Sequence, residues 1–510
     1  MAGKSSSEGV TGQLIFLVFT CCAGSSLQFG YNLVVINAPQ NVIKEFFSDK
    51  VSNWTLHWSF AVSIFMIGGM IGAFFGPHIA KKFGRKKTLI LNGGVVIIGG
   101  LLLFISKYAK SMPVFIIGRF IVGLNAGVNS CVSPMYVTEI APVRLRGSIG
   151  TLHQFGIVTG ILLANVLGLS ELLGNANGWP FLFGFTVVVA ALQFLALPFC
   201  PESPRYLLAI KKDEEGSKTA LKMLRGTDDV SEEIEEMKLE AARASTQMNV
   251  TLKELFQDQQ YRKPLFISLV MQASNQLTGI GGILFYSTNL FKNAGMSQSA
   301  SQAATCGVGA LSVIVTIIVI FLVEVKGRKF LMLLGLGGLG VFYAVTTIAL
   351  THNTSTPPSS SANISSVVMT LEEGSTKIHD WATYLSVTAV LACIFMFQLG
   401  PGAIPWFIVA EVFSQTAISA AMSIVAPTNW LCNFAVGLIF PYIAAGIEPY
   451  TFLPFLAVLA LCFLYILIWV PETKGLTIEE ITSILNPGSS FDHKLIADEQ
   501  AQTKKKLMDI

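Results

Sequence analysis

Long stretches of this chain run for 23 residues or more without a single Asp, Glu, Lys or Arg, among them 51–80, 148–170, 172–201, 264–291, 381–410 and 412–447. Each is long enough to cross about 30 Å of hydrocarbon as a helix, which takes about 20 residues. A backbone in lipid has to satisfy its own hydrogen bonds. The runs are far too long for the roughly ten-residue alternating strands of a barrel, so helices are the spanning structure they allow. Only 13% of the 510 residues are charged against 52% apolar, whereas soluble domains run near a quarter charged.

The net charge of +3 includes no dense basic face of the kind nucleic acids require. All eight cysteines (Cys21, Cys22, Cys131, Cys200, Cys306, Cys393, Cys432, Cys462) fall within or at the ends of apolar segments, without CxxC spacing. They read as packing residues, with neither a metal site nor a disulfide framework. The polar segment 1–12 lacks a charged leader followed by a small-residue cleavage site, so the first apolar helix is expected to be its own insertion signal.

Dividing the apolar runs at charged or turn-rich breaks predicts twelve spans: 13–36, 57–80, 88–106, 112–135, 148–170, 179–200, 264–291, 299–323, 330–350, 381–410, 418–442 and 449–470. With the N-terminus in the cytoplasm, 27 Lys and Arg fall on that side and six on the other, Arg119 remaining inside a span. Positive residues are retained on the cytoplasmic side, so both termini are expected there. The sequons at Asn53, Asn353 and Asn363 then lie in outside loops, where glycans can be added, and that at Asn249 lies inside.

The chain repeats itself. Gly84-Arg85-Lys86 returns as Gly327-Arg328-Lys329, Glu139 as Glu411, and Pro201-Glu202-Ser203 as Pro471-Glu472-Thr473, at separations of 243, 272 and 270 residues. Three matched landmarks imply two six-helix halves binding a solute between them at mid-membrane. The expected organisation is an N-terminal bundle over 1–200, a charged helical cytoplasmic linker over 201–262, a C-terminal bundle over 263–471 and a cytoplasmic tail over 472–510.

From Gly12 to about Pro487 the chain resembles the facilitative glucose transporter family, sugar porters of the major facilitator superfamily. The resemblance is carried by Gly30-Tyr31-Asn32, Ile36-Asn37-Ala38-Pro39-Gln40, Gly118-Arg119-Phe120, Arg144-Leu145-Arg146-Gly147, Thr151-Leu152-His153-Gln154, Pro201-Glu202-Ser203-Pro204-Arg205, Gly400-Pro401-Gly402-Ala403-Ile404-Pro405-Trp406 and Pro471-Glu472-Thr473-Lys474-Gly475. It implies an all-α membrane protein of twelve transmembrane helices in two pseudo-symmetric bundles, and facilitative hexose transport, D-glucose first, by alternating access at the plasma membrane. No enzyme activity, cofactor, metal or nucleic-acid partner is implied; the partners are a hexose and membrane lipid, and the working unit is a monomer.

A hexose offers hydroxyl donors and acceptors at its edge and C–H groups on its faces, so its site needs amides, hydroxyls and an aromatic surface, with no ionised group. The resemblance places that site at Gln154, Ile157, Asn275, Gln276, Gly281, Ser312, Gln398, Trp406, Asn429 and Asn433. Four of these depart from the family pattern: Asn275 stands for Gln, Gly281 and Ser312 for Asn, and Gln398 for Glu. The pocket is expected to have shorter polar arms. Gln272-Ala273-Ser274 stands where glucose-preferring members have Gln-Leu-Ser, which leaves the preference among glucose, fructose, galactose and mannose open.

Proton-coupled relatives carry an Asp at the position of Asn32, and an intramembrane carboxylate is the natural proton carrier. No acid sits mid-span here, and Arg119 is expected to hydrogen-bond neighbouring helices. A passive uniporter is therefore the first reading; a proton-coupled symporter and a non-transporting receptor are the alternatives. Arg85, Glu139 and Arg146 in one half, and Glu324, Arg328 and Glu411 in the other, lie at span ends where family members form gating salt bridges. Ile418 replaces a family Arg, and Lys81 the usual Asp or Asn before the Gly84-Arg85 turn. Gly335-Leu-Gly337-Gly-Leu-Gly340 spells a dinucleotide motif but lies inside an apolar span with no strand before it, so it reads as close packing.

Overall fold

The computed structural model describes residues 11–47, 53–142, 146–246, 250–293, 296–353, 380–413, 415–447, 449–474, 476 and 478–485. Among these, nine helices are long and apolar enough to cross a membrane. They are Gly12–Val34, Trp54–Phe83, Arg85–Ile105, Met112–Ile140, Trp179–Phe199, Gln298–Val323, Arg328–Thr351, Tyr384–Trp406 and Ala420–Ile447. Two shorter apolar helices, Leu152–Leu167 and Leu453–Trp469, supply the fifth and twelfth spans.

The seventh span, expected as one helix, is two: Gln259–Leu277 and Ile280–Asn293. The chain turns at Gly279, whose φ of +82° an L side chain rarely adopts. The tenth breaks as well, into Asp380–Leu399 and Ile404–Val412, across Gly400-Pro401-Gly402-Ala403. Pro401 has no N–H to continue the helix. An interrupted helix exposes backbone carbonyls, which hydrocarbon tolerates only where protein groups meet them. At the first break the Tyr343 hydroxyl, on the ninth span, donates to the Thr278 carbonyl at 2.7 Å.

Small residues bring helices to backbone contact, as expected in a membrane, where apolar surface alone gives no preference for protein over lipid. A Cβ on Gly68 would lie 2.3 Å from the Phe120 carbonyl oxygen, and one on Gly72 2.2 Å from that of Leu124. The second and fourth spans therefore cross without side chains between them. Gly335 and Gly338 serve the same purpose against Pro401 and Met396, as the close-packing reading expects.

The three repeated landmarks return with matching partners. Gly84 (φ +96°) and Gly327 (φ +89°) end the second and eighth spans. In one half the Glu202 carboxylate accepts from the backbone N–H groups of Arg85 (3.0 Å), Lys86 (3.2 Å) and Ser203 (2.9 Å). In the other, Glu472 accepts from Arg328 (2.7 Å), Lys329 (3.0 Å) and Thr473 (3.1 Å). A carboxylate at a helix N-terminus meets both the orphan donors and the positive end of the dipole. Arg85 then pairs with Glu139 at 2.7 Å and Arg328 with Glu411 at 2.9 Å. Ser203 and Thr473 hydroxyls each donate to those same glutamates at 2.5 Å.

Between the sixth and seventh spans the chain forms helices Glu214–Arg225, Ser231–Thr246 and Leu252–Gln257. The first is tied to the N-terminal bundle by Arg225, which donates to the Ile140 carbonyl and pairs with Glu233, and by the Thr11 hydroxyl on the Leu224 carbonyl. A capping box opens the last, where the Thr251 N–H holds the Glu254 carboxyl below its usual range.

Glu202→Ala removes one acceptor from three N–H groups. The expected cost is about 1–3 kcal/mol, read as a lower unfolding temperature in detergent, with Glu472→Ala losing a similar amount; unchanged temperatures for both variants would show that these turns do not depend on their glutamates.

Candidate functional site

The last turns of the seventh span before its break meet the tenth-span break through carboxamides. Gln272, Asn275 and Gln276 follow one another along the first half of the seventh span at helical spacing, so they share a face. Asn275 Nδ2 donates to the Pro401 carbonyl at 2.5 Å and weakly to that of Gly402 at 3.4 Å. Gln272 Nε2 donates to the Pro405 carbonyl at 3.0 Å. Asn429, on the eleventh span, closes the set: its Nδ2 donates to Gln272 Oε1 at 2.8 Å and to Asn275 Oδ1 at 3.1 Å. Gln276 Nε2 reaches both Asn275 Oδ1 at 2.8 Å and Asn429 Oδ1 at 3.2 Å.

Four neutral amides thus lock three helices together. Gln272, Asn275 and Asn429 are buried, while Gln276 at the edge is half-buried. Gln272, wholly buried, was not among the site residues expected from sequence. The signal was present in its spacing of three and four from Asn275 and Gln276.

The other expected residues make no hydrogen bond to this cluster among the described contacts. Gln398 is buried, with Oε1 2.8 Å from where a Cβ on Gly402 would fall, beside the carbonyl that Asn275 holds. Trp406 is half-buried one turn into the second segment of the tenth span. Gly281 lies under Asn433: a Cβ there would come within 3.1 Å of the Phe285 ring and 3.3 Å of Asn433 Oδ1. The missing side chain is therefore replaced by a ring and an amide, so the shorter arm leaves no gap. Asn433 Oδ1 is buried with no protein partner. Ser312 is fully buried and its hydroxyl donates within its own helix, to the Val308 carbonyl at 2.8 Å.

In the N-terminal half, Gln154 is half-buried and Ile157 buried on the fifth span. That span crosses the first at backbone contact, a Cβ on Gly30 falling 1.9 Å from the Ile157 carbonyl oxygen. His153 Nδ1 lies 2.7 Å from the Ser26 hydroxyl on the first span. Arg119 is fully buried, donates to the carbonyls of Asn32 (2.7 Å) and Ala61 (3.4 Å), and lies 4.5 Å over the Phe65 ring. It bonds neighbouring helices, as expected, and among the described residues it meets no carboxylate.

The described hydrogen bonds that cross between the halves cluster at the end remote from the linker. Asn37 Nδ2 donates to Ser287 Oγ at 2.7 Å and to the Leu284 carbonyl at 3.3 Å. Asn165 Nδ2 donates to the Thr305 carbonyl at 3.1 Å, and the Ser170 hydroxyl to Gln302 Oε1 at 2.7 Å. Midway along, the Trp430 ring sits against Phe29 (5.3 Å) and Phe65 (5.9 Å) of the other half. At the linker end the pairs Arg85–Glu139 and Arg328–Glu411 each lie within one half. The side chains of Arg146 and Glu324 lie outside the described residues, as do Asn363 and the side chain of Asn353; Asn53 is exposed and caps the second span.

The family model for sugar (and other) transporters matches residues 17–485. Facilitated glucose transporter member 3 of solute carrier family 2 from Gallus gallus is 44% identical over 483 residues, covering 93% of this chain and 92% of that one. The Homo sapiens protein of the same name is 41% identical over 486 residues, covering 93% of both. The chain belongs to the facilitative glucose transporter family. Its fold matches the xylose transporter XylE from E. coli in a partially occluded inward open conformation, with a TM-score of 0.75, 21% identity and coverage of 92% of this chain and all of that one. The proton:xylose symporter XylE bound to 6-bromo-6-deoxy-D-glucose aligns with a TM-score of 0.72 at 23% identity, covering 94% and 100%. This sugar porter is thus a multi-pass, all-α membrane protein of the major facilitator fold.

In such a porter, Asn275→Ala orphans the Pro401 carbonyl and frees Gln276 and Asn429 from their shared acceptor. A loss of about 1–3 kcal/mol is expected, seen as a lower unfolding temperature in detergent. Unfolding at the wild-type temperature would mean that the tenth-span break does not rely on this amide.

Proposed function

We propose that this sugar porter is a passive uniporter of hexoses, D-glucose first among them, in which Gln154, Ile157, Asn275, Gln276, Gly281, Ser312, Gln398, Trp406, Asn429 and Asn433 make the sugar site. The observation that carries the reading is the neutral carboxamide cluster tying the seventh, tenth and eleventh spans. Amides offer a donor and an acceptor each, which matches the edge of a sugar ring, and the half-buried Trp406 offers the face its C–H groups need. The names of the relatives, facilitated glucose transporters, support the same substrate.

Nothing in the proposed site performs covalent chemistry, so the protein moves its substrate unchanged. We place both termini in the cytoplasm, on the excess of Lys and Arg, and the protein in the plasma membrane as a monomer, with Asn53 the exposed acceptor for a glycan. The stitched end is then the outer one, and the arrangement is inward-facing. Outward opening must break the hydrogen bonds of the Asn37, Asn165 and Gln302 side chains, while Arg85, Glu139, Arg146, Glu324, Arg328 and Glu411 close the inner end in exchange. The Asn32 side chain donates to Thr186 Oγ1 and the Gln28 carbonyl, an amide where a proton carrier would need an acid.

Purified protein in liposomes tests the substrate: labelled D-glucose should enter, L-glucose should not compete, and Gln276→Ala should weaken uptake affinity about three- to tenfold, the value of one hydrogen bond. Equal competition by both enantiomers, or an unchanged affinity in the variant, would refute the site. Gln302→Ala, which unbinds Ser170, should widen the spin-label distance distribution across the outer end; an identical distribution would remove the amides from the gate.

A further inference from the structure

The internal repeat isolates one feature that the fold does not require. With Gly84 set on Gly327, the turn Lys81-Lys82-Phe83-Gly84-Arg85-Lys86-Lys87 lies on Glu324-Val325-Lys326-Gly327-Arg328-Lys329-Phe330. The working parts agree: Arg85 and Arg328 pair with glutamates, and the Lys86 and Lys329 amines both cap a helix-end carbonyl at 2.8 Å, those of Pro198 and Leu467. The flanks differ. Lys81, Lys82 and Lys87 are exposed, and their counterparts are an acid, a valine and a phenylalanine. The second half builds the same turn without three of the amines, so those amines are not structural.

Their surroundings concentrate positive charge at the edge of the membrane. Lys211 lies 6.0 Å from the Tyr206 ring, and the Tyr206 hydroxyl donates to the Lys82 carbonyl at 3.3 Å, which brings the exposed pair Lys211 and Lys212 to the same corner. Of the nearby carboxylates, Glu139 is committed to Arg85 and Ser203, Glu202 to three backbone N–H groups, and Asp213, next to Lys212, to the Gly216 N–H. Beside the amines stand exposed aromatic rings, Phe83 at 44% exposure with the Lys82 amine 5.3 Å over it, and Phe199 at 71%. Phe199 follows Pro198, whose carbonyl Lys86 holds. Amines above and rings below match a phospholipid, with its headgroup in water and its chains in the hydrocarbon.

We propose that this corner, formed by Lys81, Lys82 and Lys87 with Phe83 and Phe199, binds the phosphate-bearing headgroup of an anionic phospholipid in the linker-side leaflet. One neutral phosphatidylcholine offers no net charge to three surplus amines, whereas phosphatidylserine does. The lipid sits on the outer rim of the N-terminal bundle, away from the carboxamide cluster, and the C-terminal bundle has no equivalent site because its turn carries Glu324, Val325 and Phe330.

The test uses the full chain in detergent and energy transfer from its tryptophans to dansyl-labelled phosphatidylserine, displaced by unlabelled lipid. Phosphatidylserine should displace the probe and phosphatidylcholine should not. Affinity should fall roughly fivefold for each lysine replaced by Asn at positions 81, 82 and 87, fall again as salt rises, and stay within about twofold for Lys326→Gln in the other half. Lys87→Asn alone guards against misfolding, since a phenylalanine serves at the matching place. A preference for phosphatidylserine that survives all three replacements overturns the proposal. So does displacement of the probe by glycerol phosphate as effective as by the lipid, which would mark a site for a soluble phosphate instead.

Discussion

Helices interrupted in the middle of a membrane stand or fall on what meets their open carbonyls. Here the seventh and tenth spans both break, and each break is answered by a side chain from another helix: Tyr343 for Thr278, Asn275 for Pro401 and Gly402. Asn275, which satisfies the tenth-span break, also offers its amide oxygen to Gln276 and Asn429. In the proposed site, structural necessity and sugar recognition would draw on one set of groups, because hydrocarbon demands that carbonyls be paired and hydroxyls need amide partners. A cluster built this way is polar without being charged.

Charge is kept away from that cluster. Arg119, the cation inside a span, is enclosed by two carbonyl oxygens and the face of Phe65. An unpaired buried cation is costly, and carbonyl dipoles with an aromatic quadrupole offset part of that cost without introducing a titratable acid. The remaining strong pairs sit at the linker end of the spans, repeated in both halves by Glu139 with Arg85 and Glu411 with Arg328. Each ties helices of its own bundle, which makes the two bundles stiff units able to rock against one another.

The twofold design was legible in sequence because its landmarks are charges stranded in apolar chain: Gly84-Arg85, Glu139 and Glu202 stand out from their surroundings, and so do their partners 243 to 272 residues on. The interruptions were not, since the runs 264–291 and 381–410 stay free of charge straight through them. Only Gly279 and the Gly400-Pro401-Gly402 triplet marked the places, and glycine is also the residue of close helix packing. Within the site, Asn275, Gln276 and Asn429 come together as amides on facing spans should. Gly281 shows what a single position cannot tell: Phe285 and Asn433 close over it, so a shorter side chain does not mean a larger cavity. Ser312 likewise turns its hydroxyl to its own helix.

The account rests on sugar crossing without a proton. Vesicles loaded with a pH-sensitive dye, into which the purified protein carries D-glucose down its gradient, measure this directly. The lumen should hold its pH while sugar enters; acidification in fixed proportion to the glucose taken up would show that a proton travels with the sugar, and the neutral site would no longer explain transport.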